Sequence, residues 1–169
     1  MSKNVINNNE KKNKVMNAVV IIAAIVIVFG LAIMVSNEKG RNSSKHIKEV
    51  SYSEYEKKIK DNDYTIVLLA SPSCTHCMQY KPLMNKVADD FGLEVYYIDV
   101  SSRNLKNDEY MSLHDNISVL KDVYNDEGEP SISTPTTVIY KDGVEIDAEL
   151  GNIGEKGFLD LLNRNGVIA

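Results

Sequence analysis

Apolar and polar positions divide the chain into one long apolar segment and a series of shorter elements after it. Residues 15–35 contain no charged residue, a single polar residue, Asn17, and no polar stripe at helical spacing. A helix of about 20 apolar residues crosses a hydrocarbon core of about 30 Å. We therefore predict a single transmembrane helix at 15–35.

We interpret this segment as an uncleaved signal anchor. The apolar stretch of a cleaved secretory signal is about 7–15 residues long and ends in small residues. Here the stretch is longer and ends in Met34-Val35-Ser36. Both flanks carry basic residues, but the amino-terminal cluster is tighter. We therefore expect a short basic cytoplasmic tail at 1–14 and an extracytoplasmic location for 36–169, in a single-pass protein of the cell membrane.

Beyond a polar linker at 36–45, the pattern predicts an α/β domain at 46–169. Short apolar runs indicate strands, and amphipathic runs indicate helices. The predicted strands are 46–50, 65–70, 93–100, 136–140 and 144–149, and the predicted helices are 51–61, 74–91, 104–124 and 155–163. Asp142-Gly143 predicts a tight hairpin between the last two strands. This succession predicts a mixed sheet flanked by helices.

The predicted helices also carry residues whose burial can be anticipated. Met78 and Met84 recur with other apolar residues at helical spacing, so we expect both to pack in the core rather than to bind metal. His114 lies in a polar helical stretch, so we expect it on the surface.

Composition excludes several classes of protein. A hydrophobic fraction of 43% excludes a mostly disordered chain, and two Cys exclude a disulfide-dense scaffold. The formal net charge is −5, and because 1–14 and 36–49 are basic, the rest of the chain is acidic. An acidic domain argues against a nucleic-acid partner. The composition, rich in Lys and Asn, and the simple anchor indicate a bacterium with a single membrane.

The two cysteines, Cys74 and Cys77, carry the candidate chemistry. They lie just after a predicted buried strand, where a helix begins. A helix amino terminus stabilises an anionic sulfur through its free N–H groups and its dipole. His76, between the two cysteines, adds a cation when it is protonated. Both effects favour the thiolate of Cys74, and Cys77, one turn further along the helix, is the candidate for a buried resolving thiol.

Three other interpretations of this pair are open. A structural disulfide with so short a loop gains little loop-closure entropy. A zinc site needs two further ligands, and the remaining histidines, His46 and His114, do not form the usual second pair. Two inert buried thiols have no reason to lie at the start of a helix. The position of the pair favours redox chemistry.

Further residues match a known family in register. Pro82 follows the second Cys by five residues, and Thr134-Pro135 precedes a predicted strand. With the Cys pair, the Lys-Asp-Gly hairpin, Gly151 and the final helix, these features resemble the thioredoxin superfamily over 46–169.

The resemblance implies a thioredoxin-like fold and thiol–disulfide exchange with protein or peptide clients. It implies that Pro135 is a cis-proline facing the disulfide and that the backbone of Thr134 pairs with an extended client segment. Thr75 is a further candidate for client contact. Cys74 exchanges with the client sulfur, and Cys77 resolves the mixed disulfide. The redox group is the Cys74–Cys77 disulfide, and no metal, nucleotide or flavin is implied.

The departures from the family pattern refine the expectation. Ser73 replaces the Trp that usually precedes the pair, and His76 resembles the oxidising and isomerising branches of the superfamily. Leu68 stands six residues before Cys74, where many members bury a carboxylate that assists the second Cys. The segment 104–133 is longer than the minimal fold requires, so we expect an added helix that serves either a partner or the scaffold.

The sequence therefore predicts a membrane-anchored, extracytoplasmic thiol–disulfide oxidoreductase, with oxidase or isomerase activity favoured over reductase activity. Its partners would be client thiols and disulfides, and a second protein that recycles the pair. The alternative hypothesis is an accessory module that holds a client during secretion of a small disulfide-containing peptide, such as a bacteriocin.

Overall fold

The computed structural model of the protein describes residues 45–61, 63–101 and 104–169. The predicted tail at 1–14, the predicted anchor at 15–35, and all of the linker at 36–45 except Lys45 lie outside these residues. None of the helices within the described ranges is long and apolar enough to cross a bilayer.

A five-stranded mixed sheet forms the centre of the described domain. Its strands are β1 (Ile47–Glu49), β2 (Tyr64–Ala70), β3 (Val95–Asp99), β4 (Thr136–Lys141) and β5 (Val144–Leu150). The order across the sheet is β1-β3-β2-β4-β5. Strand β3 is parallel to β1 and β2, whereas β4 is antiparallel to β2 and β5. The predicted mixed sheet is therefore confirmed.

Helices connect these strands across both faces of the sheet. They are α1 (Tyr52–Asp61), α2 (Thr75–Phe91), α3 (Asn107–Asn116) and α4 (Gly154–Arg164), with a 3₁₀ helix at Ser118–Leu120. The helix predicted at 104–124 is too long. Helix α3 ends because Ile117 adopts an extended conformation, with φ −89° and ψ 120°, and its side chain is buried beside Leu113 and Leu120.

The sheet separates two layers of core because successive side chains of a strand point to opposite faces. Ile66 and Leu68 face the layer beneath α2 and α4, whereas Val67 and Leu69 face the layer beneath α1 and α3. Both faces of β2 are therefore covered, which explains the continuous apolar run that predicted a buried strand at 65–70.

Two predictions of burial are wrong. Met78 is 58% exposed, although Met84 is buried as expected. His114 is only 2% exposed. Its Nδ1 lies 2.9 Å from an Asp115 carboxylate oxygen and its Nε2 lies 3.0 Å from the Val123 carbonyl oxygen. A polar ring can be buried when both of its nitrogens have such partners.

Candidate active site

Cys74 and Cys77 form a disulfide where β2 leads into α2, with their Cα atoms 5.2 Å apart. Cys74 is the N-cap residue of α2, and its Sγ accepts a hydrogen bond of 3.1 Å from the backbone N–H of Cys77. Cys74 is half-buried, whereas Cys77 is fully buried. A reagent in solvent therefore reaches the sulfur of Cys74 first.

The residues before the pair build the turn that exposes Cys74. Ser71 and Pro72 occupy the first two positions of a four-residue turn, where Ser and Pro are favoured. The backbone N–H of Cys74 closes this turn by donating to the Ser71 carbonyl at 3.1 Å. The hydroxyls of Ser71 and Ser73 lie 3.0 Å apart. The sequence Ser-Pro-Ser thus ends the strand and places the next residue at the start of the helix.

A second segment, at the start of β4, reaches the disulfide. The Thr134–Pro135 peptide bond is cis, and Pro135 is buried. The carbonyl oxygen of Thr134 lies 3.6 Å from Cys74 Sγ. The Pro135 carbonyl in turn accepts a hydrogen bond of 2.7 Å from the N–H of Gly151. Thr134 therefore approaches the sulfur through its backbone, and Gly151, the residue after β5, hydrogen-bonds the same segment.

The outer rim of the site consists of side chains in the first turn of α2. Thr75 and His76 are both exposed there. Met78 joins this rim, and its backbone N–H donates to the Cys74 carbonyl at 3.1 Å. Sequence reasoning missed Met78 as a surface residue, although its spacing of four from Cys74 places the two on the same side of a helix.

An apolar residue occupies the position at which many thioredoxin-like proteins bury a carboxylate beneath the disulfide. Leu68 is fully buried, and in the sheet it pairs with Tyr97 of β3 and Thr137 of β4. The Thr137 hydroxyl donates a hydrogen bond of 3.3 Å to the phenol oxygen of Tyr80. Burial raises the pKa of Tyr80 to about 12, so its hydroxyl remains protonated at neutral pH. Sequence reasoning missed this pair, for which the spacing of three between Cys77 and Tyr80 was the available signal.

A lysine on α2 covers the other neighbour of Leu68. The Lys81 Nζ lies 3.2 Å from the centre of the Tyr97 ring, within the range of a cation–π contact. Burial lowers the pKa of the Lys81 amine. The Tyr97 hydroxyl is buried and has no hydrogen-bond partner in the described part of the chain.

Several solved structures that share this fold are thioredoxins. Thioredoxin f2 of Chlamydomonas reinhardtii matches with a TM-score of 0.56 and 11% identity, over 73% of this chain and 99% of that one. Oxidised mitochondrial thioredoxin 3 of Saccharomyces cerevisiae matches with a TM-score of 0.53 and 19% identity, over 73% and 99%. A mutant thioredoxin of Halobacterium salinarum matches with a TM-score of 0.52 and 22% identity, over 73% and 93%. At these identities the likeness shows the fold.

A match to the model of a family, together with the fold and the disulfide of a CxxC motif, defines a member of the thioredoxin superfamily. Residues 33–123, more than half of the chain, match the model of the family described as TraF, the F plasmid transfer operon protein. The chain belongs to this family. The fold and the cysteine pair support thiol–disulfide oxidoreductase activity at a general level.

Proposed function

We propose that this protein is an extracytoplasmic thiol–disulfide oxidoreductase that oxidises or isomerises disulfides in client proteins or peptides. The observation that carries the proposal is the Cys74–Cys77 disulfide at the start of α2, with one sulfur half-buried beside the Thr134 carbonyl and the other fully buried. This asymmetry supports the distinct roles that exchange requires.

In the oxidising direction, a client thiolate attacks Cys74 Sγ and displaces Cys77 as a thiolate. A second client thiolate then attacks the client sulfur of the mixed disulfide and releases Cys74. The client loses two electrons and two protons, and the cysteine pair becomes a dithiol. The disulfide is the whole redox group in this proposal, which requires no metal, nucleotide or flavin.

The helix terminus supports the oxidising direction. Cys74 Sγ already accepts the N–H of Cys77, and the dipole of α2 adds to the stabilisation of negative charge at this sulfur. His76 on the exposed rim supplies a further positive charge when it is protonated. A stabilised thiolate favours the dithiol form, so the disulfide form becomes the stronger oxidant.

The reduction potential tests this direction. We expect the Cys74–Cys77 pair of the full chain to equilibrate with glutathione near or above about −180 mV, in the range of isomerases and oxidants. A potential near about −270 mV would instead support a reductant and contradict the proposed direction. A pair that does not cycle at all would contradict the redox function.

Clients would bind across the rim and the cis-proline segment. Thr134 and Pro135 support this because they lie beside the reactive sulfur, and a backbone in that position can pair with an extended peptide. Thr75 would contact the same client from the first turn of α2. A second protein would recycle the pair, and the acidic net charge argues against nucleic acid as a partner.

Membrane anchoring through 15–35 and an extracytoplasmic domain complete the proposal, supported by the hydropathy of that segment and its basic flank. We expect a membrane-impermeant thiol reagent to label Cys74 of the Cys77→Ser variant on intact cells. As a control, Asn8→Cys in a chain without Cys74 and Cys77 should be labelled only after permeabilisation. The reverse pattern would place the domain in the cytoplasm.

A further inference from the structure

The resolving cysteine lies in an environment that has no carboxylate at the usual place. Cys77 is fully buried, and so is Leu68, the residue six positions before Cys74. Removing a proton from a buried sulfur costs free energy unless a polar group stabilises the thiolate. The polar groups that reach the core layer shared by Cys77 and Leu68 therefore decide how readily Cys77 ionises.

Polar side chains flank Leu68 along one row of the sheet. The pairing of strands aligns Glu49, Tyr97, Leu68, Thr137 and Glu149 side by side on the face that α2 covers. Leu68 thus lies between a phenol and a hydroxyl. Of these two neighbours, Thr137 is joined by a hydrogen bond to a residue of the helix that carries Cys77.

Tyr80 is that residue, and its position directs it towards Cys77. It is fully buried and belongs to the same core layer as Cys77. Long side chains of an α-helix lean back over the residues three and four positions earlier. Cys77 is three positions before Tyr80, so this lean directs the phenol towards the turn that contains Cys77.

Thr137 fixes the direction of the hydrogen bond. Its hydroxyl donates to the phenol oxygen of Tyr80 at 3.3 Å, so this bond does not use the phenol proton. Thr137 follows Pro135 by two residues, and the Thr134 carbonyl before that proline lies beside Cys74 Sγ. The segment that reaches the Cys74 sulfur therefore also holds the phenol of Tyr80, in the core layer that contains Cys77.

We propose that the Tyr80 hydroxyl, positioned by Thr137, donates a hydrogen bond to the thiolate of Cys77 and replaces the missing carboxylate as the group that controls its ionisation. This inference rests on the proposed function. Tyr80 acts as a donor and not as a base, because burial keeps its phenol protonated at neutral pH. Thr137 is a positioning residue.

The donor acts in both directions of exchange. In resolution, Cys77 loses its proton, its sulfur bonds to Cys74 Sγ, and the bond from Cys74 to the client sulfur breaks. The client sulfur leaves with the electron pair and takes up a proton, so the client is reduced and the cysteine pair is oxidised. In the reverse reaction, Cys77 is the leaving thiolate, and a more stable leaving thiolate departs faster.

Other titratable groups face this layer, and their effects on Cys77 must be distinguished from those of Tyr80 and Thr137. They are Lys81 on α2, Glu49 on β1, Tyr97 and the buried Asp99 on β3, and Glu149 on β5, whose carboxylate accepts a hydrogen bond of 2.7 Å from Arg164 of α4. The amine of Lys81 is the strongest competitor because it is a half-buried cation four residues after Cys77.

The two steps can be followed with Ellman's reagent on the reduced full-length chain. Attack by Cys74 releases one thionitrobenzoate, and resolution by Cys77 releases the second. We expect Tyr80→Phe to slow the second release about tenfold at neutral pH, the order of one hydrogen bond to a charged group, and to raise its pH midpoint. Thr137→Val should act in the same direction and Thr137→Ser should restore the normal rate.

Tyr55→Phe is the matched control, since Tyr55 is a buried tyrosine whose hydroxyl lies 2.8 Å from that of Tyr140 on the opposite face of the sheet. The inference is overturned if Tyr80→Phe matches Tyr55→Phe in rate and pH midpoint, or if Lys81→Met has the larger effect. Should Tyr80→Phe not fold, the comparison of Thr137→Val with Thr137→Ser decides. A wild-type chain that releases no thionitrobenzoate contradicts the proposed function instead.

Discussion

Cys74→Ser should abolish thiol–disulfide exchange, whereas Cys77→Ser should accumulate a mixed disulfide with the client. The difference follows from burial. Cys74 is half-buried at the N-cap of α2, so a client sulfur reaches it first, and Cys77 lies fully buried behind it. Without Cys74 no bond to the client forms, and without Cys77 the bond that forms has no internal nucleophile to break it.

The measurement is the mass of the reduced full-length chain after reaction with a peptide that contains an intramolecular disulfide, which the Cys74 thiolate attacks while the second peptide sulfur leaves as a thiolate. The Cys77→Ser variant should gain the mass of the peptide and lose it on reduction, while Cys74→Ser should gain nothing at Cys77. Gln79→Ala, which alters an exposed side chain of the same helix beyond the two cysteines, serves as the control that keeps full exchange.

A chain without either cysteine separates the two functional hypotheses. Loss of its biological function supports the oxidoreductase. Full function of the double Cys→Ser variant would contradict the enzyme and favour the accessory module that holds a client during secretion of a small disulfide-containing peptide.

Local patterns predict the main elements of this domain well. The apolar run at 65–70 corresponds to β2, Tyr64–Ala70, and Asp142-Gly143 forms the hairpin between β4 and β5. The turn at Ser71 and Pro72 depends on neighbouring residues alone, so the start of α2 could be anticipated to within a residue. In each case the forces that determine the element act over a few positions in the chain.

The predictions fail where contacts with a segment distant in the sequence determine whether a side chain is buried. His114 is buried because the Val123 carbonyl, in a loop beyond its helix, lies beside its ring, and periodicity carries no information about that loop. Met78 continues an apolar pattern, but among the described residues no other element covers its side of α2. Tyr80 and Thr137 are 57 positions apart, and only the register of β4 against β2 brings them together.

The second large effect, a loss in the free energy of unfolding, is expected when Phe158 on α4 is replaced by alanine. Phe158 is fully buried, and its ring meets the ring of Tyr80 edge to face, with centroids 6.4 Å apart. Removing a buried phenylalanine forfeits its transfer free energy and leaves a cavity, at a cost of about 3–5 kcal/mol. Since domains are stable by only about 5–15 kcal/mol, Phe158→Ala should remove a large part of the free energy of unfolding.

Phe91→Ala provides the control with the same chemical change at the carboxyl end of α2. Phe91 is 46% exposed, so its loss should cost about 1 kcal/mol or less, the usual range for a surface position. The free energy of unfolding is measured in denaturant with the disulfide kept oxidised, so that the two variants differ only in packing. Equal losses in both variants would contradict the role of Phe158, because α4 would then not be what secures α2 beneath the disulfide.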